Sequence, residues 1–285
     1  MSSTGTPLRV AFQGELGAFS EEAARRFFSG PIEPAPCREF REVGAAVASG
    51  AVDYGLLPIE NTLAGSVVAS YDVLAAEPLE VVGEVIVPIH HCLLGVPGAE
   101  IGRITRVLSH PVALAQCSRF LTEHPAIEAV AVYDTAGAAR DVACAGDPTV
   151  AAIAGRAAAE RYGLEILASN IEDRPDNQTR FLVVARAGGA PPPDAARAGD
   201  RKKTALLVET DNTPGSLVQV LLPFANRGIN LSKLESRPAD APWTYRFFME
   251  LEADVAAPDT QEALAEVRRR ASALRILGSF VRWSQ

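Results

Sequence analysis

Lysine is almost missing from this sequence of 285 residues, which has three lysines, at positions 202, 203 and 233, against 24 arginines. The first 200 residues therefore contain no side-chain amine. A Schiff-base mechanism and a pyridoxal phosphate anchor both need a lysine amine, and a phosphate-binding loop of the Gly-Lys-Ser/Thr type needs its lysine. All three chemistries are excluded from that part of the chain.

Cysteine and histidine are also scarce, with four of each. The cysteines are isolated in the sequence, at Cys37, Cys92, Cys117 and Cys144. They show no metal-ligand spacing and are typical of reduced thiols, not of a disulfide framework. His90, His91 and Cys92 are adjacent, but neighbouring strand residues point to opposite faces, and no second group completes a set of four ligands. We therefore expect no metal site.

Long apolar runs and a basic surface are missing as well. No run approaches the roughly 18 to 20 apolar residues of a membrane span, and the start, MSSTGTPLRV, lacks the pattern of a signal peptide. We expect a cytoplasmic protein without a membrane partner. The first 200 residues carry 15 arginines against 25 acidic residues, and the remainder has a net charge of only +2. Neither part is typical of a nucleic-acid binder.

The chain length favours two domains at about 150 residues each, and the composition changes between them. Three consecutive prolines lie among Gly, Ala and charged residues close to position 190, which predicts an exposed linker over 188–200. Before it, apolar runs alternate with amphipathic segments, a pattern that predicts an α/β region with mostly parallel strands. The predicted helices of this region are 18–28, 39–48, 66–74, 112–122, 136–143 and 156–161.

The pattern after the linker is different. Predicted strands and helices follow in the order βαββαβ over about 80 residues, which predicts a ferredoxin-like half-sandwich. The strands are 204–209, 229–235, 245–252 and 276–283, and the helices are 216–226 and 260–273.

Three segments of the first region place a tight turn before a predicted helix: 14–20, 61–66 and 134–137. A helix start offers unpaired backbone N–H groups and a partial positive charge, which bind carboxylates without lysine. Ser20, Ser66 and Thr135 are the candidate binding residues there. The alternative interpretation is ordinary capping of buried helices.

Polar residues also flank two apolar strands of the α/β region. The segment DNQTRF (176–181) comes directly before one of these strands. Arg180 could bind a carboxylate through its planar guanidinium, and Thr179 could donate a hydrogen bond to a departing oxygen. Glu60 and Asn61 form a second polar pair, at the carboxyl end of another strand. Each stretch could instead be only a turn.

Several of these segments together resemble one family. The segments LPIENTLAGSV (57–67), SHPVALAQC (109–117), DTAGAA (134–139) and DNQTRF (176–181) are similar, in order and spacing, to the signatures of prephenate dehydratase. PGSLVQVL (214–221) and GINLSKLESRP (228–238) resemble the effector motifs of its ACT regulatory domain. The likeness extends from about residue 7 to residue 283.

The resemblance implies a fold and domain limits. The catalytic domain would span 7–187 and have a two-lobed, periplasmic-binding-protein-like fold in which the chain crosses between the lobes twice. One lobe would contain about 8–87 with 166–186, and the other 89–164. The ACT domain would span 201–285.

The resemblance also implies site residues. The catalytic group would be Thr179, Arg180, Glu60 and Asn61. Together with the three helix starts, the substrate-binding set would be Ser20, Ser66, Ser109, Gln116, Thr135 and Phe181. Phenylalanine would bind between ACT domains of paired subunits, in a homodimer or homotetramer, at Asn212, Pro214, Gly215, Ser216, Leu217, Val218, Glu235, Ser236, Arg237 and Pro238.

The implied reaction converts prephenate to phenylpyruvate with loss of water and carbon dioxide, for phenylalanine biosynthesis under feedback by phenylalanine. Aromatisation drives it, so no cofactor or metal is required. Two alternatives stay open: an arogenate dehydratase, and a non-catalytic sensor of small ligands.

The sequence departs from the family pattern at Glu21, Val112 and Ser216, where the family commonly has His, Gln and Ala.

Overall fold

The computed structural model describes residues 7–189, 191–192, 202–239 and 242–283. Most of the predicted linker 188–200 lies outside these residues. The helices are α1 (Phe19–Phe27), α2 (Phe40–Ser49), α3 (Val68–Ala76), α4 (Pro111–Gln116), α5 (Ser118–Glu123), α6 (Thr135–Ala145), α7 (Arg156–Tyr162), α8 (Ser216–Ala225) and α9 (Pro258–Arg268), with a short 3-10 turn at Ile101–Arg103. The strands are β1 (Leu8–Gln13), β2 (Ile32–Cys37), β3 (Tyr54–Asn61), β4 (Gly65–Ser66), β5 (Leu79–Pro88), β6 (Cys92–Gly95), β7 (Arg106–Ser109), β8 (Glu128–Ala131), β9 (Val150–Ala154), β10 (Glu165–Ser169), β11 (Gln178–Arg186), β12 (Lys202–Glu209), β13 (Leu231–Pro238), β14 (Tyr245–Leu251) and β15 (Ala273–Val281).

The region before the linker contains two α/β sheets, each the centre of one lobe. The first has the order β2-β1-β3-β11-β5, with β4 paired to β3, and the second has the order β10-β6-β9-β7-β8. In the second sheet β9, VAAIA, is buried at every residue, as expected for a central strand covered on both faces. The chain leaves the first sheet after β5 and returns with β11, so it crosses twice. The two-lobed α/β architecture is confirmed.

The structure corrects one lobe limit. β10 pairs antiparallel with β6 in the second sheet, from Glu165 opposite Gly95 to Ser169 opposite Cys92. The second lobe therefore extends through residue 169, and the prediction that the chain re-enters the first lobe at 166 is wrong. The physical reason is that β10 completes the edge of the second sheet before the chain crosses back.

Local structure differs from the sequence prediction at three further places. β2, IEPAPC, was not predicted because it contains two prolines, which an edge strand tolerates since some of its N–H groups need no partner. The predicted helix 112–122 is two short helices that meet at Cys117. The helix predicted from residue 66 begins at Val68, because Gly65 and Ser66 pair with the end of β3.

The sheet after the linker has the order β13-β14-β12-β15, which confirms the predicted βαββαβ fold. Its strands are antiparallel where β12 meets β14 and β15, and where β13 meets β14. Helices α8 and α9 contribute to the same apolar core as β12 and β14. The core side chains include Leu206, Val208, Val220, Phe224, Met249, Leu251, Leu264 and Val267.

The chain divides into two compact units whose limits differ from the predicted domain limits. One unit contains the residues up to Ser70 together with Val85–Phe181, and the other contains Tyr71–Glu84 together with the residues from Leu182 onward. The second unit includes most of α3 because this helix packs on the C-terminal sheet. The rings of Tyr71 and Phe248 lie 4.9 Å apart, and Lys203 Nζ lies 3.1 Å from Glu84 Oε2.

No helix in the described part of the chain is long and apolar enough to cross a membrane.

All four cysteines are free thiols. Cys117 is fully buried, and this burial raises the pKa of its thiol to about 12. Cys144, in contrast, is exposed.

Candidate active site

The two polar segments that the sequence singled out meet at one end of the first sheet. Asn61 ends β3 and Thr179 lies at the start of β11, the neighbouring strand. The backbone joins them there, since Thr62 N donates to Gln178 O over 2.9 Å. The Asn61 Nδ2 amide donates to Thr179 Oγ1 over 2.9 Å. The structure therefore brings together residues that are more than 100 positions apart in the chain.

The Asn61 side chain has a fixed orientation. Its Oδ1 accepts hydrogen bonds from the backbone N–H groups of Leu63 at 3.0 Å and Ala64 at 2.8 Å. The nitrogen must then face Thr179, whose hydroxyl oxygen acts as the acceptor. Because a hydroxyl is both acceptor and donor, this arrangement leaves the Thr179 proton available for another group. Thr179 is partly exposed, so a ligand can reach it.

A buried polar network continues from Asn61 to the second lobe. Asn177, which is fully buried, accepts from Asn61 Nδ2 over 2.8 Å and donates from its own Nδ2 to Gln116 Oε1 over 3.0 Å. Gln116, at the end of α4, also bonds to His91 Nε2 at 3.0 Å through the same oxygen. Gln116 thus lies in the predicted site.

Two residues of this network were missed. Asn177 is part of the DNQTRF segment but was not selected, although an asparagine directly before an apolar strand was a usable signal. His91 was interpreted only as a structural residue. It is 2% exposed, and burial lowers the pKa of its imidazole, while the hydrogen bond to Gln116 and the charge of Glu172 act in the opposite direction.

In each of the three turns that the sequence singled out, a nearby side-chain oxygen accepts a hydrogen bond from a backbone amide. Gly17 N donates to Glu21 Oε2 over 2.7 Å, and Gly137 N donates to Asp134 Oδ2 over 2.7 Å. The third turn is held by Asn61 Oδ1, as described above. Side-chain capping is present at one of the three, since Asp134 is the N-cap of α6, whereas α1 has no side-chain cap and the 61–66 turn leads into β4. Anion binding at these turns stays a prediction.

The predicted binding residues at those turns occupy different environments. Ser20 is buried in the first turn of α1, and Thr135 is the half-buried first residue of α6. Ser66 lies opposite Glu60 in the β3–β4 pair, which places it beside the Asn61 end of the site. Glu60 is half-buried at the same strand end.

Ser109 does not face a cleft. Its side chain is fully buried, and its hydroxyl donates to the Ile153 carbonyl over 2.6 Å. The prediction that Ser109 contacts substrate is therefore corrected: this residue ties β7 to β9. Phe181 is 2% exposed and likewise packs in the interior of the protein.

Arg180 follows Thr179 on β11 and is half-buried. Side chains of successive strand residues point to opposite faces of the sheet. Asn177 and Thr179 therefore share the face that meets Asn61, and the side chain of Arg180 leaves β11 on the opposite face. Its role as a carboxylate partner stays a prediction.

The predicted effector residues lie on two elements of the C-terminal unit. Residues 212–215 form an exposed loop that ends in Gly215, whose φ of 88° lies in the left-handed region, and α8 starts directly after it. The Thr213 and Ser216 hydroxyls are 2.7 Å apart. On β13, Glu235 and Arg237 are half-buried whereas Ser236 and Pro238 are exposed.

Comparison with known proteins gives consistent matches over the whole chain. A family model described as prephenate dehydratase matches residues 10–188, and an ACT domain model matches residues 204–269. A plant relative named arogenate dehydratase/prephenate dehydratase 2, chloroplastic, from Arabidopsis thaliana, is 41% identical over 288 residues, which cover 98% of this chain and 74% of the relative.

Two solved structures are similar in fold and sequence. A prephenate dehydratase from Arthrobacter aurescens in complex with L-Phe has a TM-score of 0.87 and 33% identity, and the match covers 96% of this chain and 90% of that one. A structure described as GqqA, a novel type of quorum quenching acylase, has a TM-score of 0.87 and 36% identity over 96% of this chain and 98% of that one.

Proposed function

Since the chain belongs to the prephenate dehydratase family, whose members are lyases, we propose that it converts prephenate to phenylpyruvate with loss of water and carbon dioxide. This reaction would serve the biosynthesis of phenylalanine. The observation that carries the proposal is the 2.9 Å hydrogen bond from Asn61 Nδ2 to Thr179 Oγ1. This bond lies where the two polar segments meet, and it would leave the Thr179 hydroxyl proton free to donate to a ligand.

The reaction requires few functional groups from the protein. Prephenate carries a carboxylate on a ring carbon and a hydroxyl across the ring. As the ring carbon–carboxylate bond breaks, its electron pair enters the ring, which becomes aromatic, and the carbon–oxygen bond to the hydroxyl breaks. One proton is taken up from solvent for each turnover, and its delivery to that oxygen makes the leaving group water. Aromatisation supplies the driving force, so no cofactor or metal is needed.

Thr179 is the group proposed to assist the departing oxygen. A threonine hydroxyl is a weak acid, so its help is mainly a directed hydrogen bond that stabilises negative charge developing on that oxygen. Asn61 contributes by occupying a lone pair of Thr179 Oγ1, which turns the hydroxyl proton toward the ligand. Acid assistance of this kind typically contributes on the order of 10² to 10⁴ in rate.

The protein should bind the two carboxylates of the substrate with different strength. Arg180 is proposed to bind the side-chain carboxylate, which is unchanged by the reaction, through its planar guanidinium. Strong stabilisation of the ring carboxylate would oppose its loss as carbon dioxide, so that group should be held less tightly. Glu60, beside Asn61, would help position the substrate ring.

Arogenate is the second candidate substrate, because the Arabidopsis thaliana relative carries both activities in its name. Arogenate shares the ring, the ring carboxylate and the leaving hydroxyl with prephenate and differs in carrying an amino group in place of the keto group. The Asn61–Thr179 arrangement acts on the shared part and therefore serves either substrate.

The deciding experiment measures steady-state rates on both substrates with metal-free protein. We expect formation of phenylpyruvate from prephenate, at a higher kcat/KM than formation of phenylalanine from arogenate. The reverse order would make the protein an arogenate dehydratase. Binding of either compound without turnover would support a ligand sensor and refute the proposed catalysis.

Phenylalanine is the proposed regulator, and the similarity to a structure that holds L-Phe supports this. The site would comprise residues 212–218 and Glu235–Pro238 in paired ACT domains of a homodimer or homotetramer. A coupling of about 1 to 3 kcal/mol would change substrate affinity 5- to 150-fold. Titration with phenylalanine, tyrosine and tryptophan, with the oligomer followed by sedimentation, tests this directly. Unchanged rates and affinity at saturating phenylalanine would rule out feedback.

A further inference from the structure

A buried histidine lies at the end of the polar network that begins at Thr179. His91 is in the segment where the chain first crosses between lobes, after β5 and before β6. Asn177 is at the end of the second crossing, and the crossings are bonded to each other by Ile89 N to Asn177 O at 2.8 Å and Ile171 N to His91 O at 3.0 Å. The network therefore passes through the two segments in which the chain crosses between the lobes.

The direction of each hydrogen bond in the network follows from its fixed end. Backbone amides hold Asn61 Oδ1, so Asn61 Nδ2 must be the donor to Asn177 Oδ1. Asn177 Nδ2 must then be the donor to Gln116 Oε1. Because Gln116 presents an oxygen, His91 Nε2, at 3.0 Å, must carry a hydrogen and donate it.

The other nitrogen of His91 has no such partner. Nδ1 is buried and makes no hydrogen bond within the described part of the protein. The ring of Phe19 packs edge-on against the imidazole, with the centroids 5.6 Å apart. The charged and titratable groups facing it are Glu172, which accepts from the His91 backbone N–H over 2.9 Å, and His90. Burial lowers the pKa of His91, which favours the neutral form of the ring.

An unpartnered polar atom in a buried position costs free energy, and an apolar side chain would avoid that cost. The feature that a histidine supplies here, and an apolar residue would not, is the Nε2 donor toward Gln116. This donor keeps the Gln116 oxygen turned to His91 and Asn177. The Gln116 nitrogen then points to Asn61, whose Oδ1 is 3.5 Å away.

We propose that His91 is a positioning residue for the elimination: its Nε2 donor fixes the Gln116 amide and thereby couples α4 of the second lobe to the Asn61–Thr179 pair of the first. This inference rests on the proposed function. Without the donor, only Asn177 Nδ2 holds the Gln116 oxygen, so the Gln116 amide is less firmly oriented toward the Asn61–Thr179 pair.

The test compares three variants by kcat and KM on whichever substrate the wild type converts. His91→Leu removes the donor and should lower kcat about tenfold with little change in KM, the rate equivalent of one hydrogen bond. His91→Gln keeps an amide donor near the position of Nε2 and should restore most of the rate. The matched control is His90→Gln, because the neighbouring His90 contacts Glu172 and not Gln116; it should leave both constants unchanged.

A double-mutant cycle separates positioning from simple core packing. If His91 acts through Gln116, His91→Leu should have no further effect on kcat in a Gln116→Met background. An undiminished effect in that background would overturn the inference, as would a His91→Leu protein that is less stable but has the wild-type kcat. Wild-type protein that converts neither substrate refutes the proposed function, and this inference with it.

A measurement on the wild type covers the case in which His91→Leu does not fold. Nitrogen-15 NMR of histidine-labelled protein should show one ring, assigned to His91 by its absence from His91→Gln, that is neutral and protonated on Nε2 at pH 6.5, the ordinary pKa of histidine. A neutral ring with its proton on Nδ1 would contradict the hydrogen-bond directions on which the proposal depends.

Discussion

Arg237 on β13 and Asp72 on α3 form an ion pair, with Arg237 Nη2 3.5 Å from Asp72 Oδ1. Arg237 belongs to the proposed effector motif, and α3 follows Asn61 by only seven residues along the chain. Arg275 on β15 also contacts α3 and donates to the carbonyl groups of Leu74 and Ala75, near the C-terminal end of the helix. A cation is favoured at that end by the helix dipole. The C-terminal sheet thus contacts the helix that follows β3 and β4 along the chain.

The first prediction concerns this ion pair. Asp72→Asn should reduce the response to phenylalanine, because it removes a contact through which a change in β13 can reach α3. Asp72 is largely exposed, so the loss should be below about 1 kcal/mol and the half-inhibitory concentration should rise by a few-fold at most. The measurement is a phenylalanine titration of the initial rate. Glu100→Gln, which breaks the exposed pair of Glu100 with Arg103, is the control and should not alter the titration.

The second prediction concerns Thr179. Thr179→Ala should lower kcat by about 10² to 10⁴ with a modest change in KM, because the hydroxyl acts on the departing oxygen and not on initial binding. Thr179→Ser keeps the hydroxyl and should retain part of the activity. Thr122→Ala, at an exposed threonine on α5, serves as the control. Normal turnover by Thr179→Ala would remove Thr179 from the mechanism.

The third prediction uses the pKa of His91, which is lowered in the folded protein. The unfolded chain then binds a proton more readily than the folded one below the ordinary value of 6.5, so the free energy of unfolding must fall as the pH drops through that value. Urea denaturation at about pH 8 and about pH 5.5 should show a larger loss of stability for the wild type than for His91→Gln, which does not titrate. Equal losses would show that His91 is not responsible.

The fourth prediction concerns a close contact between the lobes. Gly17 has a φ of 87°, and a Cβ placed on it would lie 2.9 Å from Ala158 Cα on α7. Tyr162 of the same helix donates to the Leu16 carbonyl over 2.8 Å, so the loop before α1 is held against the second lobe.

Gly17→Ala should therefore destabilise the protein by about 1 to 3 kcal/mol through backbone strain, with the steric clash adding to it. Chemical denaturation measures this, and kcat should fall because the loop is displaced. Gly30→Ala is the matched control, since a Cβ there has open space and no positive φ. Equal stability of the two variants would show that the loop accommodates the extra methyl group.

Much of the fold could be predicted because its signals are local. The βαββαβ order after the linker follows from hydrophobic periodicity within segments of about ten residues, and the structure confirms all six elements. β2 could not be predicted in the same way, since Pro34 and Pro36 are acceptable only because the strand lies at the sheet edge. The sheet to which β10 belongs is decided by its pairing with β6, about 70 residues earlier.

The candidate site could likewise be predicted from the sequence only in part. Asn61, Thr179 and Gln116 lie in motifs that could be recognised in the sequence, and the structure joins them in one hydrogen-bonded network. The sequence did not reveal that Glu21 accepts from Gly17 N and that Asp134 accepts from Gly137 N, because both contacts depend on the folded turns.

By itself, then, the amino-acid sequence determined the α/β and βαββαβ elements, the family, and the polar segments proposed to carry the chemistry, because these depend on residue type and short spacing. Only the tertiary structure decided that Asn61 Nδ2 faces Thr179 and that His91 ends the network. Those hydrogen bonds join side chains 25 to 118 residues apart, and their direction is set by backbone amides and burial that exist only after the two lobes have formed.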